Sequence, residues 1–192
     1  MSAISNVFYV PYDDPAASSR LTNRLGVYFK GVPSRRTFAI VCIGTDRCTG
    51  DALGPLTGTL LRKYKSPHFE VYGTLESPVH AMNLDDTVAR LYREHHDPFV
   101  IGVDACLGRA SSIGSIVIGE GPLRPGAGVN KQLTPVGDIH VSGIVNVGGL
   151  LGYQVLQNTR LHLVMSMAGL ISRSLFVAIR MADGDPCEEA AQ

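Results

Sequence analysis

Ile43-Gly44-Thr45-Asp46-Arg47-Cys48-Thr49-Gly50-Asp51-Ala52-Leu53-Gly54-Pro55 follows directly on Thr37-Phe38-Ala39-Ile40-Val41-Cys42, and the junction between these two stretches decides the fold. The upstream run is apolar at every position after its first, the pattern of a central parallel strand covered on both faces. The downstream stretch turns through glycines and opens a helix on an acid. Pro55 suits the first turn of that helix, where backbone amides have no intrahelical partner anyway. A buried strand leading into a helix at once is the start of an alternating α/β pattern.

Outward from this junction the alternation continues. Residues 52 to 65 read as helix, Phe69-Glu70-Val71-Tyr72-Gly73-Thr74 as a second strand, and Asn83 starts a helix through Leu84, Val88, Leu91 and Tyr92 towards His95. A third strand spans 98 to 104 and ends its apolar run, Phe99-Val100-Ile101-Gly102-Val103, on Asp104. Ser115 to Glu120 reads as a strand that returns antiparallel after a short loop. Gly121 to Gly128, rich in glycine and proline, reads as surface loop. A short strand is expected at 138 to 142, a helix at 150 to 156, a buried strand at Arg160 to Met165 and a closing helix at Ala168 to Met181. Before the junction, Asp14-Pro15 followed by Leu21, Leu25, Tyr28 and Phe29 reads as a capped amphipathic helix stopped by Gly31. The expected fold is a three-layer α/β domain, a mostly parallel sheet with helices on both faces. Residues 1–36 form a peripheral helix and linker, 37–182 the core and 183–192 a polar tail.

Composition narrows the function. The chain has 192 residues, 45% hydrophobic and 18% charged, with 17 basic residues against 17 acidic ones, so no electrostatic footprint for nucleic acid is present. Four cysteines without C-x-x-C or framework spacing suit free thiols in a reducing, cytoplasmic interior. No basic segment followed by an apolar run opens the chain, so no secretory signal is expected. The long apolar stretch from Leu161 to Ala182 carries His162, Arg173 and Arg180, which argues against a membrane span.

In a doubly wound sheet, ligands sit outside the carboxyl ends of the strands where the strand order reverses. If the first and third strands are neighbours there, Asp51 and Asp104 face one crevice. Two adjacent carboxylates repel when both are ionised, so one holds its proton above the ~3.9 of a free aspartate and the pair becomes an acid and a base. Such a pair activates water and protonates a leaving amine, which is what peptide hydrolysis needs without a nucleophilic serine or cysteine. The ordinary readings stay open beside this one. Asp51 stands where helices favour an acidic cap, and Asp104 where a carboxylate gathers loop amides. Asp46 reads as a residue ordering its own turn, Asp85 and Asp86 as first-turn acids complementing a helix dipole, and His95 and His96 as cations at a helix end. Cys106 with His140 would make a thiolate and base, although small buried cysteines are usually inert packing. The glycines at 44, 50 and 54 match neither phosphate-loop pattern, and an acid at the helix start would repel phosphate.

The run Gly44 to Pro55, together with Val103-Asp104-Ala105 and Gly143-Ile144-Val145-Asn146-Val147-Gly148-Gly149, resembles the YyaC-type sporulation proteins over roughly residues 37 to 182. That group is similar in turn to the germination protease of spore-forming bacteria and, more distantly, to hydrogenase maturation proteases. The first likeness implies a peptidase of small acid-soluble spore proteins in the spore or forespore interior. Its two essential aspartates match Asp51 and Asp104, and a glycine and asparagine loop resembles Gly128-Val129-Asn130-Lys131, which makes Asn130 and Lys131 substrate-binding candidates. No cofactor and no metal is expected on this reading; the partner is a protein or peptide substrate. The more distant likeness implies instead a nickel site built from acids like Asp51 and Asp104 and a later histidine, for which His140 is the candidate. A third possibility is a non-enzymatic sporulation factor that binds a partner protein.

Overall fold

The computed structural model describes residues 7–33, 35–125, 133–149 and 151–184. Six strands, β1 (Phe8–Pro11), β2 (Phe38–Cys42), β3 (Phe69–Tyr72), β4 (Phe99–Gly108), β5 (Ser115–Glu120) and β6 (Ile139–Val147), form one sheet in the order β1-β5-β6-β4-β2-β3. β6, β4, β2 and β3 run parallel, and β5 is antiparallel to both of its neighbours. This is the expected mostly parallel sheet with one reversed strand after the third strand of the core.

β2 illustrates why the continuous apolar run becomes a central strand. All five of its residues are buried, and successive side chains point to opposite faces. Phe38, Ile40 and Cys42 enter a core shared with α1 (Ala17–Phe29), α2 (Leu53–Leu61) and α5 (Leu161–Ala182). Ala39 and Val41 enter a second core under α3 (Leu84–Glu94), with Leu84, Leu91, Leu123 and Val136. Three layers follow from the strand having no polar face to offer solvent.

Three regions differ from the expectation. Phe8–Pro11 is a strand that pairs antiparallel with Ile118 to Ser115, so the residues before the first helix close one edge of the sheet. The helix itself starts at Ala17, later than the expected Asp14-Pro15 cap: its N-cap is Ala16, without a side-chain cap bond, while the Asp14 carboxylate accepts the Ala16 amide at 2.8 Å and pairs with Arg20. It then buries Leu21, Leu25 and Phe29 against α5, with the Phe29 ring 4.8 Å from Phe38 and 5.8 Å from Phe99. Second, no strand forms at 160–165. Leu161 to Ala182 is one helix, because Val164, Met167, Ala168, Ile171, Leu175, Ala178 and Ile179 recur at helical spacing and all are buried. It is the one described helix long and apolar enough to cross a bilayer, and 50% of its most apolar window is buried inside this molecule. Third, Leu123 and Val136, expected in surface loop or just beyond it, are buried and bridge each other across the segment.

Candidate active site

The strand order makes the crevice. From β2 the chain crosses to β3 on one side, then returns to β4 on the other, so the order reverses between β2 and β4. Asp104 on β4 and Asp51 on the turn after β2 both sit at that reversal. The ladder between β2 and β4 ends at Cys42 opposite Val103, and the Ile43 amide donates to the Val103 carbonyl at 2.7 Å. Asp104 is the next residue. It does not end its strand, however: β4 runs on to Gly108 beside β6 alone, which leaves Asp104 facing the turn that follows β2.

That turn is folded tightly against the strand end. Gly44 has φ 142°, and a Cβ there would lie 2.0 Å from the Asp51 carbonyl oxygen; one on Gly54 would lie 2.1 Å from the Ile43 carbonyl oxygen. Only glycine permits both approaches. Between them Gly50 to Ala52 makes a single 3₁₀ turn ahead of α2. The cap positions of turn and helix are Thr49 and Ala52, neither with a side-chain bond, so Asp51 is not held as a helix cap. Its carboxylate meets the Thr45 amide and His80 instead.

The two acids have unlike surroundings. Asp104 is 9% exposed; burial, and then the nearby charge of Asp51, push its carboxyl well above the usual range, while its bond from the Ala105 amide at 2.7 Å pulls it back. Asp51 is half-buried. Burial raises it as well, against the Thr45 amide and the attraction of His80. The charge of Asp51 thus bears on Asp104, and Asp104 is the acid pushed further towards its protonated form.

His80 escaped the sequence reading. The segment before α3 returns to the crevice because the Gly44 amide donates to the Val79 carbonyl at 2.8 Å and Ile43 bridges Val79. Asn83 then fixes the loop, accepting the His80 amide at 2.8 Å and donating to the Pro78 carbonyl at 3.1 Å. The Met82 amide donates to His80 Nδ1 at 3.3 Å, which leaves Nε2 as the remaining hydrogen-bonding atom of the ring. The available signal was positional: 73–83 is the loop after a strand adjacent to β2, and loops at that end of such a sheet line the crevice. Ser142, 6% exposed, was missed too and lies opposite Asp104 in the β4–β6 ladder.

The remaining candidates separate from the pair. Asn130 and Lys131 lie outside the described residues. His140 shares a sheet face with Asp104 but stands opposite Gly102, against Gly119, with its Nδ1 at 3.0 Å from the Gly121 carbonyl oxygen. Among the described residues no three His, Cys, Asp or Glu side chains come together as a metal would require, so the donor set Asp51, Asp104 and His140 does not fit a bound nickel. Cys106 and His140 both border a cavity of about 660 Å³ on the open sheet face, but burial and the charge of Asp104 push the Cys106 thiol up to about 12. A thiol so raised is a poor nucleophile at neutral pH. Asp85 receives the Thr134 hydroxyl at 2.5 Å, and His95 Nε2 lies 3.0 Å from the Tyr72 hydroxyl, both away from the crevice.

Asp51 itself lines a cavity of about 370 Å³. The loop residues His80, Ala81 and Met82, Tyr153 and Leu156 of α4 (Gly152–Gln157), and Thr45, Arg47 and Cys48 of the turn after β2 line it too. α4 is tied to the sheet by Asn146, whose side-chain amide donates to the Val155 carbonyl at 3.1 Å and lies 3.2 Å from the Thr159 hydroxyl.

This fold is similar to that of a solved [NiFe] hydrogenase maturation protease, HycI from Thermococcus kodakarensis KOD1, which superposes with a TM-score of 0.56 at 20% identity, covering 81% of this chain and 97% of that one. The likeness is one of fold. Residues 9–174 match the family described as "Protein of unknown function (DUF1256)", and the chain belongs to that family. It is 50% identical over 172 residues, 90% of its length and 83% of the relative's, to the protein described as "Uncharacterized protein YyaC" from Bacillus subtilis (strain 168).

Proposed function

We propose that the chain is a peptidase in which Asp51 and Asp104 hydrolyse a peptide bond without metal or covalent intermediate. The reading is supported by one arrangement: Asp104 on β4 and Asp51 on the turn that follows the neighbouring β2 lie at the switch point, near enough for the charge of Asp51 to raise Asp104, and burial weighs more heavily on Asp104. Environments that differ in this way assign roles. Asp51, beside His80 and the Thr45 amide, is the base that takes a proton from water. The resulting hydroxide adds to the carbonyl carbon. Asp104, buried and raised, gives its proton to the departing nitrogen, so one water is consumed and the two acids exchange protonation states before resetting. The protease-like fold supports the reading, and the resemblance to the germination protease extends it to small acid-soluble spore proteins inside the spore or forespore.

The test incubates purified protein with small acid-soluble spore proteins, with and without divalent metal, and follows fragments by mass spectrometry. Metal-independent cleavage is expected, lost in both Asp51→Asn and Asp104→Asn. Intact spore proteins after prolonged incubation, or cleavage retained in either variant, would overturn the assignment.

A further inference from the structure

We infer that Met82, Tyr153 and Leu156 form a subsite for a large apolar side chain of the substrate, next to the bond that Asp51 and Asp104 act on. The inference rests on the peptidase reading for its location but not for its chemistry. Met82 is 82% exposed and Tyr153 60% exposed, and with Leu156 they line the same cavity as the Asp51 carboxylate. Isolated exposed apolar residues need no explanation; apolar side chains gathered in one cavity with a few polar groups, here Asp51, His80 and Arg47, are the composition of a ligand pocket.

The two lining segments are also built to hold their places. The 80–82 loop is anchored by Asn83 and by the Val79 contacts with Ile43 and Gly44, and α4 by Asn146. The backbone is therefore fixed while the side chains at the rim remain free. Methionine suits such a rim because its unbranched, polarizable chain adapts to different apolar shapes, and tyrosine adds a flat ring with few rotatable bonds. At about 370 Å³ the cavity falls near the small end of the ~300–1,000 Å³ typical of ligand pockets, room for one large side chain and its flanking backbone rather than a folded surface. Arg47, on the same cavity and exposed, is polar, so the apolar preference belongs to Met82, Tyr153 and Leu156.

The experiment separates the subsite from the chemistry by measuring binding. Fluorescein-labelled ten-residue peptides, identical except for a central Leu, Phe, Ser or Asp, are titrated with wild-type protein and with Asp104→Asn, and anisotropy is followed. The Leu and Phe peptides are expected to bind at least ~10-fold more tightly than the Ser and Asp peptides, the scale set by burying one such side chain. Met82→Asp and Tyr153→Ser change exposed residues; each is expected to abolish the preference with an unchanged melting temperature. Equal affinity for all four peptides, no binding of any of them, or a preference that survives both substitutions overturns the subsite. A Leu peptide that binds with the expected preference yet is never cleaved by wild-type protein supports the subsite and overturns the peptidase reading instead.

Discussion

Asp51 and Asp104 carry the same functional group, yet one rides on a glycine-built turn and the other on the rigid edge of a strand. The turn leaves Asp51 half-buried with a backbone amide and an imidazole for company, whereas β4 buries Asp104 and gives it only the amide of its own neighbour. The difference teaches that the proposed division into acid and base would follow from the backbone that presents each carboxylate. Five substitutions would break that contrast or sharpen it.

The largest effect is expected from removing either acid. Asp51→Asn and Asp104→Asn should each lower the cleavage rate about 10²–10⁴-fold, the usual contribution of a positioned acid or base, read from initial rates on a spore-protein substrate. The pH profile of the wild type should be bell-shaped, falling on the alkaline side as Asp104 loses its proton.

Next in size is Gly44→Ala. The added Cβ meets the Asp51 carbonyl oxygen, and φ at that position disfavours any side chain, so the turn must shift. A loss of at least ~1 kcal/mol of stability in urea titration, with activity falling further than stability, is the expected outcome. Gly149→Ala, where no atom lies within 4 Å of the added group, serves as the control.

The third test turns the contrast into a stability measurement. A carboxyl whose folded pKa is raised favours folding while protonated, so its contribution is most favourable below the unfolded value near 3.9 and is lost as pH rises towards the folded value. Each unit of that rise costs about 1.4 kcal/mol above the window. Asp104→Asn should therefore melt higher than wild type at pH 8, with the gain vanishing at pH 3.5. A variant less stable than wild type at pH 8 would mean that the buried charge is better compensated than its surroundings imply.

A smaller effect is expected at the imidazole. His80→Gln removes the attraction that holds Asp51 ionised, so the acid limb of the cleavage profile should move to higher pH with a several-fold drop in rate at neutrality. The smallest belongs to Cys106→Ser, which should leave the rate within about twofold because that thiol is not ionised near neutrality. A large loss there would shift the chemistry from the paired acids to the thiol.

How far the site could be read in advance follows the same division. Asp51 and Asp104 were visible because each adjoins a long apolar run whose meaning as a buried strand is local, and the rule for open α/β sheets then supplies the crevice. His80 was not, because nothing in Ser77-Pro78-Val79-His80 marks it; its place depends on a bridge to Ile43 that only the folded chain makes. Residues 160–165 misled for a related reason. Arg160-Leu161-His162-Leu163-Val164 alternates like a strand over a few positions, and only the continuation to Ile179 shows the helical period. Phe8–Pro11 lacks enough length to announce itself and becomes a strand by pairing with β5, more than a hundred residues later. The His140 reading failed on register. Two positions along β6 separate it from the residue opposite Asp104, and sequence does not specify which residues of two distant strands stand side by side.

The place of β6 has a bearing on how the chain assembles. The last of the strands to be synthesised is inserted between β5 and β4, so until Val147 has emerged the earlier strands form two separate ladders, β1 with β5 and β4 with β2 and β3. Each ladder then presents an open edge to the cell, the condition under which unfinished sheets join the wrong neighbour. A chain truncated before residue 139 is therefore expected to aggregate rather than fold to a smaller working protein, as light scattering of such a truncation would show.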